Sequence, residues 1–217
     1  MTNENYCMRE DYNARTEYTH YSDFYRTDEW QLEVYLRALG LMKKYNLKNI
    51  IDVGCGSGYK LITYLGEYET VGIELAENID YLNENYPNRN WEVSNFDSGE
   101  DFHTDLVICS DVIEHLLDPD ELINFLKSIS FEYLVISTPD RNMMYSDTNP
   151  FQVGPPTNDA HVREWNFEEF KEYIYQHFNI VEHETTNMEQ STQMIICTKK
   201  EGLETHLRLN EDRQYGK

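Results

Sequence analysis

Three glycines at alternate positions, Gly54, Gly56 and Gly58, follow an apolar run ending in an acidic residue, IIDVGCGSG over residues 50–58. No other stretch of the 217 residues restricts the fold as much. Ile50 and Ile51 suit a strand covered on both faces, as parallel strands inside an α/β sheet are. Glycines without Cβ atoms then permit positive φ and let a ligand lie against the main chain. A dinucleotide fingerprint wants Gly-x-Gly-x-x-Gly, with pyrophosphate over the following helix. Here the third position is Tyr59, which disfavours a nicotinamide oxidoreductase. A plain strand-to-helix joint is the alternative use of such a turn.

A second element argues against that plain joint. TVGIE, residues 70–74, reads as another short apolar strand, closed by Glu74 22 positions after Asp52. A carboxylate there accepts hydrogen bonds from ribose hydroxyls in Rossmann-like sites. The run Asp52-Val53-Gly54-Cys55-Gly56-Ser57-Gly58 resembles motif I of the class I S-adenosylmethionine (SAM)-dependent methyltransferases. The resemblance implies that the glycine turn takes the methionine portion of SAM and that the loop after the third strand brackets adenine. It puts the cofactor set at Asp52, Gly54, Cys55, Gly56, Gly58, Glu74, Leu75, Asn95, Phe96, Asp97 and Ser110. For Asn95, Phe96 and Asp97 an Asx-type turn is nearly as good an explanation.

Around the motif the periodicity alternates. Asp28 and Gln31 make a capping-box-like pattern before a helix with Trp30, Val34, Ala38 and Leu41 at helical spacing, aromatics in the core. Helices are expected over 58–66, in AENIDYLNENY, in ELINFLKSIS and, behind Asn166 as N-cap, in NFEEFKEYIYQHF. Strands are expected near 70–74, 91–93, 105–110 and 132–138, with a terminal pair in FNIVEHE and STQMIICTK. Such alternation gives right-handed crossovers and a doubly wound sheet. The expected fold class is α/β, a Rossmann-like doubly wound seven-stranded sheet with helices on both faces; the antiparallel last strand is implied by the family resemblance. One domain covers 1–217: a Tyr-rich arm or lid over 1–27 (Tyr18, Tyr21, Phe24, Tyr25), a SAM-binding core over 28–138, a Pro-rich substrate-side insertion over 139–166, a helix and strand pair over 167–199, and a charged tail over 200–217.

The fourth strand delivers SDVIEHLLDP to the ligand edge. This segment resembles one in quinone-type and sugar O-methyltransferases, where an acidic-x-x-Glu-His pattern follows that strand. Methyl transfer needs a nucleophile aligned behind the sulfonium methyl and relieved of its proton. His115 is the candidate base, because an imidazole titrates near neutrality, with His161 and Asp111 as the other candidate catalytic groups. Alternatively Asp111, Glu114 and His115, at i, i+3 and i+4, face one way on a helical turn and hold a divalent metal with His161 as fourth ligand. A similar Glu-x-x-Glu-His cluster occurs in small-RNA 2′-O-methyltransferases and quinone-biosynthesis enzymes; here Asp111 replaces the first Glu. A third option is that these groups only brace the loop. HVREW, residues 161–165, resembles a motif of glycan and nucleotide-sugar methyltransferases, which makes Arg163 and Trp165 candidate substrate contacts. Rim pairing and packing against the last helix explain them equally well.

Composition narrows the partners. A net charge of −22 opposes the counterion exchange on which nucleic-acid binding depends. No apolar run reaches bilayer length, and MTNENYCMRED has no signal-peptide character. Cys7, Cys55, Cys109 and Cys197 form no CxxC pair and read as free thiols of a cytoplasmic protein. The expected activity is methyl transfer to a small polar acceptor, a sugar or nucleotide-sugar hydroxyl, with an aromatic or quinone hydroxyl as second acceptor class. A SAM-binding regulatory protein without turnover is the alternative of another kind.

Overall fold

The strand before the glycine turn, β1 (Asn49–Val53), stands near the centre of a seven-stranded sheet. The computed structural model describes residues 5–17, 19, 27–28, 30–96 and 101–200. The remaining strands are β2 (Glu69–Glu74), β3 (Asn90–Val93), β4 (Leu106–Ser110), β5 (Tyr133–Pro139), β6 (Phe178–Asn187) and β7 (Thr192–Lys199). They run in the order β3-β2-β1-β4-β5-β7-β6. The first five are parallel, whereas β7 pairs antiparallel with both β5 and β6. The helices are α1 (Leu32–Tyr45), α2 (Tyr59–Leu65), α3 (Ala76–Asn85), α4 (Pro119–Ser128), a single turn α5 (Arg141–Met144) and α6 (Phe167–His177).

Strand parity divides the core into two layers. Ile51, Val53, Val107, Cys109, Leu134, Ile136, Ile195 and Cys197 pack toward α4 and α6, with Leu122, Phe125, Trp165 and Phe170. Ile50, Leu106, Ile108, Val135, Met194 and Ile196 face α1 and α2, with Val34, Ala38 and Leu61. Alternate residues of one strand therefore serve opposite helical layers, which explains apolar runs without polar alternation. Each fully buried aliphatic side chain stabilises the fold by about 1.5–3 kcal/mol relative to exposure.

Local chemistry sets the helix starts. Asp118 accepts from the Asp120 amide at 2.9 Å ahead of Pro119, and Asn166 with Glu169 forms a reciprocal capping box. The expected cap at Asp28 does not form: α1 begins at Leu32, behind a left-handed Gln31 (φ 64°) that makes no side-chain cap. Trp30 is accordingly outside the helix and 47% exposed rather than in the core. A chain reversal at Gln31 rotates Trp30 off the face that Val34, Ala38 and Leu41 bury.

The Pro-rich segment 139–166 is packed and bonded. Arg141, 1% exposed, donates to the Glu164 carbonyl at 2.7 Å and the Glu169 carboxylate at 2.8 Å. Residues from the N-terminal arm join it, the Asn13 amide on the Val153 carbonyl and the Arg15 amide on the Val162 carbonyl. The aromatic residues Tyr18, Tyr21, Phe24 and Tyr25 lie outside the described residues, as does the tail from 201 onward.

Candidate active site

A cavity of about 930 Å³ opens at the carboxyl ends of β1, β2 and β4. One end is the glycine turn. Gly54 (φ 74°), Gly56 (φ 54°) and Gly58 (φ 70°) are all left-handed. A Cβ on Gly54 would come within 2.4 Å of Val112 Cγ2, so both conformation and space require glycine there. Gly54, Cys55 and Gly56 line the cavity. Gly58 does not; it starts α2 and packs against Leu82 and Trp91.

Glu74, at the end of β2, is fixed by two backbone donors. The Gly56 amide donates to Oε1 at 3.2 Å and the Leu75 amide to Oε2. Leu75, Asn95 and Phe96 line the same end. The Ser94 hydroxyl accepts from the Phe96 amide at 2.9 Å, and Phe96, with φ 65°, packs on Phe125. The turn is anchored by the Ser94 hydroxyl and not by an Asx side chain; Asp97 lies outside the described residues. Asp52 is fully buried beneath the cavity and accepts from Tyr35 Oη at 2.8 Å. It therefore orients Tyr35, which reaches the cavity, and does not line it itself.

The other end is built by the segment after β4. Asp111 takes a left-handed conformation (φ 54°), and residues 113–115 form a 3₁₀ turn. One α-helical turn carrying Asp111, Glu114 and His115 together is thereby excluded. Glu114, His115 and His161 instead form the cluster, each offering a ligand atom within 4.8 Å of the others. Asp111 stands apart, accepting from Ser137 Oγ at 2.6 Å while Ser137 and Ser110 hydroxyls meet at 2.9 Å. Burial raises the Asp111 carboxyl above its ordinary pKa. Burial and then the Asp111 charge push Glu114 well above the carboxylate range.

Both imidazoles are fixed by hydrogen bonds. His115 Nδ1 lies 2.9 Å from the Ala160 carbonyl, which only accepts, so Nδ1 carries the proton and the lone pair is on Nε2. His161 Nδ1 meets Glu164 Oε1 at 2.6 Å and its Nε2 meets Asn158 Nδ2 at 2.9 Å. The rings pack edge to face with centroids 4.9 Å apart. Glu114 is fully buried; Oε2 accepts from Thr138 Oγ1 at 3.1 Å, and Oε1 has no hydrogen-bond partner among the described residues. An orphaned buried carboxylate oxygen beside two imidazoles with anchored Nδ1 atoms fits a divalent cation, since ligating histidines are oriented in this way.

Two expected substrate contacts are not brought to the cavity. Arg163, 4% exposed, donates to the Leu116 and Leu117 carbonyls at 2.8 and 2.7 Å and lies over the Tyr6 ring. Trp165 is fully buried, donates to the Tyr6 carbonyl at 2.9 Å and stacks on Tyr173. Arg163 satisfies the carbonyls of the loop after the cluster, and Trp165 fills the core under α6; neither lines the cavity. Sequence reasoning had passed over Lys60, which is 6% exposed, lies 5.5 Å from the Tyr35 ring centroid and lines the cavity. The available signal was a basic residue on the buried face of an otherwise apolar helix. Asn158 and Glu164 were likewise unassigned.

The glycine cradle and the anchored Glu74 fit SAM, and the 3-2-1-4-5-7-6 sheet is that of a class I SAM-dependent methyltransferase. The chain belongs to the methyltransferase-domain family, whose profile matches residues 23–187. Among solved structures it is similar to the methyltransferase domain of bacterial CtHen1-C, at 19% identity and TM-score 0.61, covering 77% of this chain and 97% of that one. It is also similar to magnesium protoporphyrin IX methyltransferase (ChlM) from Synechocystis with bound S-adenosylhomocysteine (SAH), at 16% identity and TM-score 0.61, covering 78% and 83%. DesVI of Streptomyces venezuelae gives 12% identity and TM-score 0.62, covering 81% and 95%. No curated protein matches by sequence. Among the described residues no helix is long and apolar enough to cross a membrane.

Proposed function

We propose that this SAM-dependent methyltransferase is an O-methyltransferase acting on a sugar hydroxyl of a small, uncharged acceptor. The observation that carries the reading is that one cavity is lined by Gly54, Gly56 and Glu74 and also by His115 and His161. SAM at the first end presents its methyl toward the second. There an imidazole takes the acceptor's proton as the oxygen attacks, the S–CH₃ bond breaks, the O–CH₃ bond forms and SAH leaves with the sulfur electron pair.

Charge supports a neutral acceptor. Glu74, Asp111, Asp118 and Glu121 line the cavity, against Lys60 as the lining Lys or Arg among the described residues, while burial holds Glu114 toward its neutral form. That field favours a sulfonium and opposes phosphate, so the nucleotide-sugar form of the reading loses support now that Arg163 is turned into the fold. It opposes nucleic acid for the same reason. The free cysteines fit a cytoplasmic setting. A second reading, favoured by the orphaned Glu114 oxygen, has Glu114, His115 and His161 hold a divalent cation. Such an ion supplies Lewis acidity toward an alcohol oxygen and chelates a vicinal diol.

Calorimetry with SAM and SAH, then SAH release over a panel of sugars, sugar nucleotides and catechols with and without EDTA, tests both readings. Turnover on neutral sugars is expected, and turnover restricted to phosphorylated acceptors would overturn the acceptor class. His115→Ala is expected to abolish turnover with SAH binding intact; unchanged turnover would remove the imidazole from the chemistry. EDTA-insensitive turnover would remove the cation.

A further inference from the structure

The hydrogen bonds around His161 form a directional chain. Asn158 Oδ1 accepts from the Ala160 amide at 3.0 Å, which settles which end of that amide side chain is which. Asn158 Nδ2 must then donate to His161 Nε2, 2.9 Å away. A nitrogen that accepts carries the lone pair, so the proton of the neutral ring is on Nδ1 and is donated to Glu164 Oε1 at 2.6 Å. Glu164 is fully buried, and its own backbone is tied down: its amide donates to Tyr12 Oη at 2.9 Å and its carbonyl accepts from Arg141 at 2.7 Å. A buried carboxylate with a clamped main chain is costly unless its partners are worth the desolvation; here they are the imidazole proton at 2.6 Å and the nearby Tyr145 hydroxyl.

We propose that Glu164 is a positioning residue that fixes His161, within its cluster with Glu114 and His115, with the lone pair on Nε2, and that Asn158 is the reversible occupant of that lone pair. The inference rests on reading the cluster as the chemical end of the cavity, and applies whether Nε2 takes a proton or a cation. Asn158 and His161 both line the cavity, so a ligand in it can reach the amide that occupies Nε2. Displacing that amide exposes an imidazole already in the correct tautomer and held at its far nitrogen. The arrangement also gives the single turn from Asn158 to Ala160 control of both rings, because the Ala160 carbonyl holds His115 Nδ1.

Two measurements on the full chain test it. Long-range ¹H–¹⁵N NMR of the metal-free protein, with His161 assigned by comparison with His161→Asn, is expected to show the Nδ1–H tautomer. An Nε2–H tautomer would overturn the proposal. In Glu164→Gln, which keeps the side-chain volume, the Nδ1 proton resonance is expected to move upfield as the charged acceptor is lost; an unmoved resonance would count against Glu164. Mn²⁺ titration followed by EPR is expected to show affinity about 10- to 100-fold weaker in Glu164→Gln and several-fold tighter in Asn158→Ala. Loss of affinity in Asn158→Ala would overturn the placeholder role. A wild-type protein that takes up no Mn²⁺ would sink the cation reading alone, with the tautomer measurements still deciding the role of Glu164.

Discussion

The Gly56 amide donates to Glu74 Oε1 across 3.2 Å, so the turn after β1 holds the carboxylate at the end of β2. Two of the sequence's strongest signals, 18 residues apart, are thus one unit of the site.

Glu74→Ala is expected to weaken SAH binding about 10- to 100-fold, the range for losing a hydrogen-bonded carboxylate at about 1.5–3 kcal/mol. Calorimetry on the folded variant checks it. Affinity within twofold of wild type would show that the ribose is held elsewhere.

Gly54→Ala combines two penalties, a left-handed backbone worth about 1–2 kcal/mol and a Cβ 2.4 Å from Val112 Cγ2. A drop in thermal stability with loss of SAH binding is expected. Adding Val112→Ala should relieve the steric part and leave the conformational part, so partial recovery in the double variant separates the two.

Trp165→Ala is expected to cost about 3–5 kcal/mol in urea unfolding, as large aromatic deletions in cores do. The Michaelis constant for acceptor of the protein that remains folded should not move, because Trp165 does not line the cavity. A raised constant with unchanged stability would restore Trp165 to substrate binding.

His183 supplies a pH dependence away from the site. Burial lowers its pKa to about 4, with Lys171 acting the same way and the Gln193 bond and Glu168 opposing. Its ring stacks on Phe167 at 3.5 Å, and Nε2 meets Gln193 Oε1 at 3.1 Å. The unfolded chain takes up this proton near pH 6.5 and the folded chain near 4, so the contribution is whole above 6.5 and is lost as pH falls toward 4. Urea midpoints across that window should fall less steeply in His183→Gln than in wild type; parallel curves would rule His183 out.

The fold was legible where one physical requirement dominates. Buried parallel strands must be apolar throughout, and Asp52, Glu74 and Ser110 end three of them at one edge, so the cofactor end could be placed. The acceptor end was harder because HVREW mixes roles at adjacent positions. His161 reaches the cavity, Arg163 turns to the Leu116 and Leu117 carbonyls, Glu164 supports His161, and Trp165 fills the core. An irregular segment has no period from which facing can be read, so those four directions emerge only from tertiary contacts. The helical turn expected to carry Asp111 failed for a related reason: spacing of i, i+3 and i+4 has meaning only in a helix, and the Asp111 φ of 54° breaks the turn before it starts, although Asp111 still lines the cavity.

The Glu114 carbonyl receives amides from both Val162 and Arg163, at 2.7 and 3.3 Å. That pair of bonds ties the end of the segment 139–166 to the loop that follows β4. A designer seeking a new acceptor has Pro139, Met144, Asn158 and His161 to work with on this segment, since the stretch from Tyr145 to Thr157 lines no part of the cavity. The stretch from Asn158 to Trp165 has to travel with the loop that follows β4, as a single inherited piece.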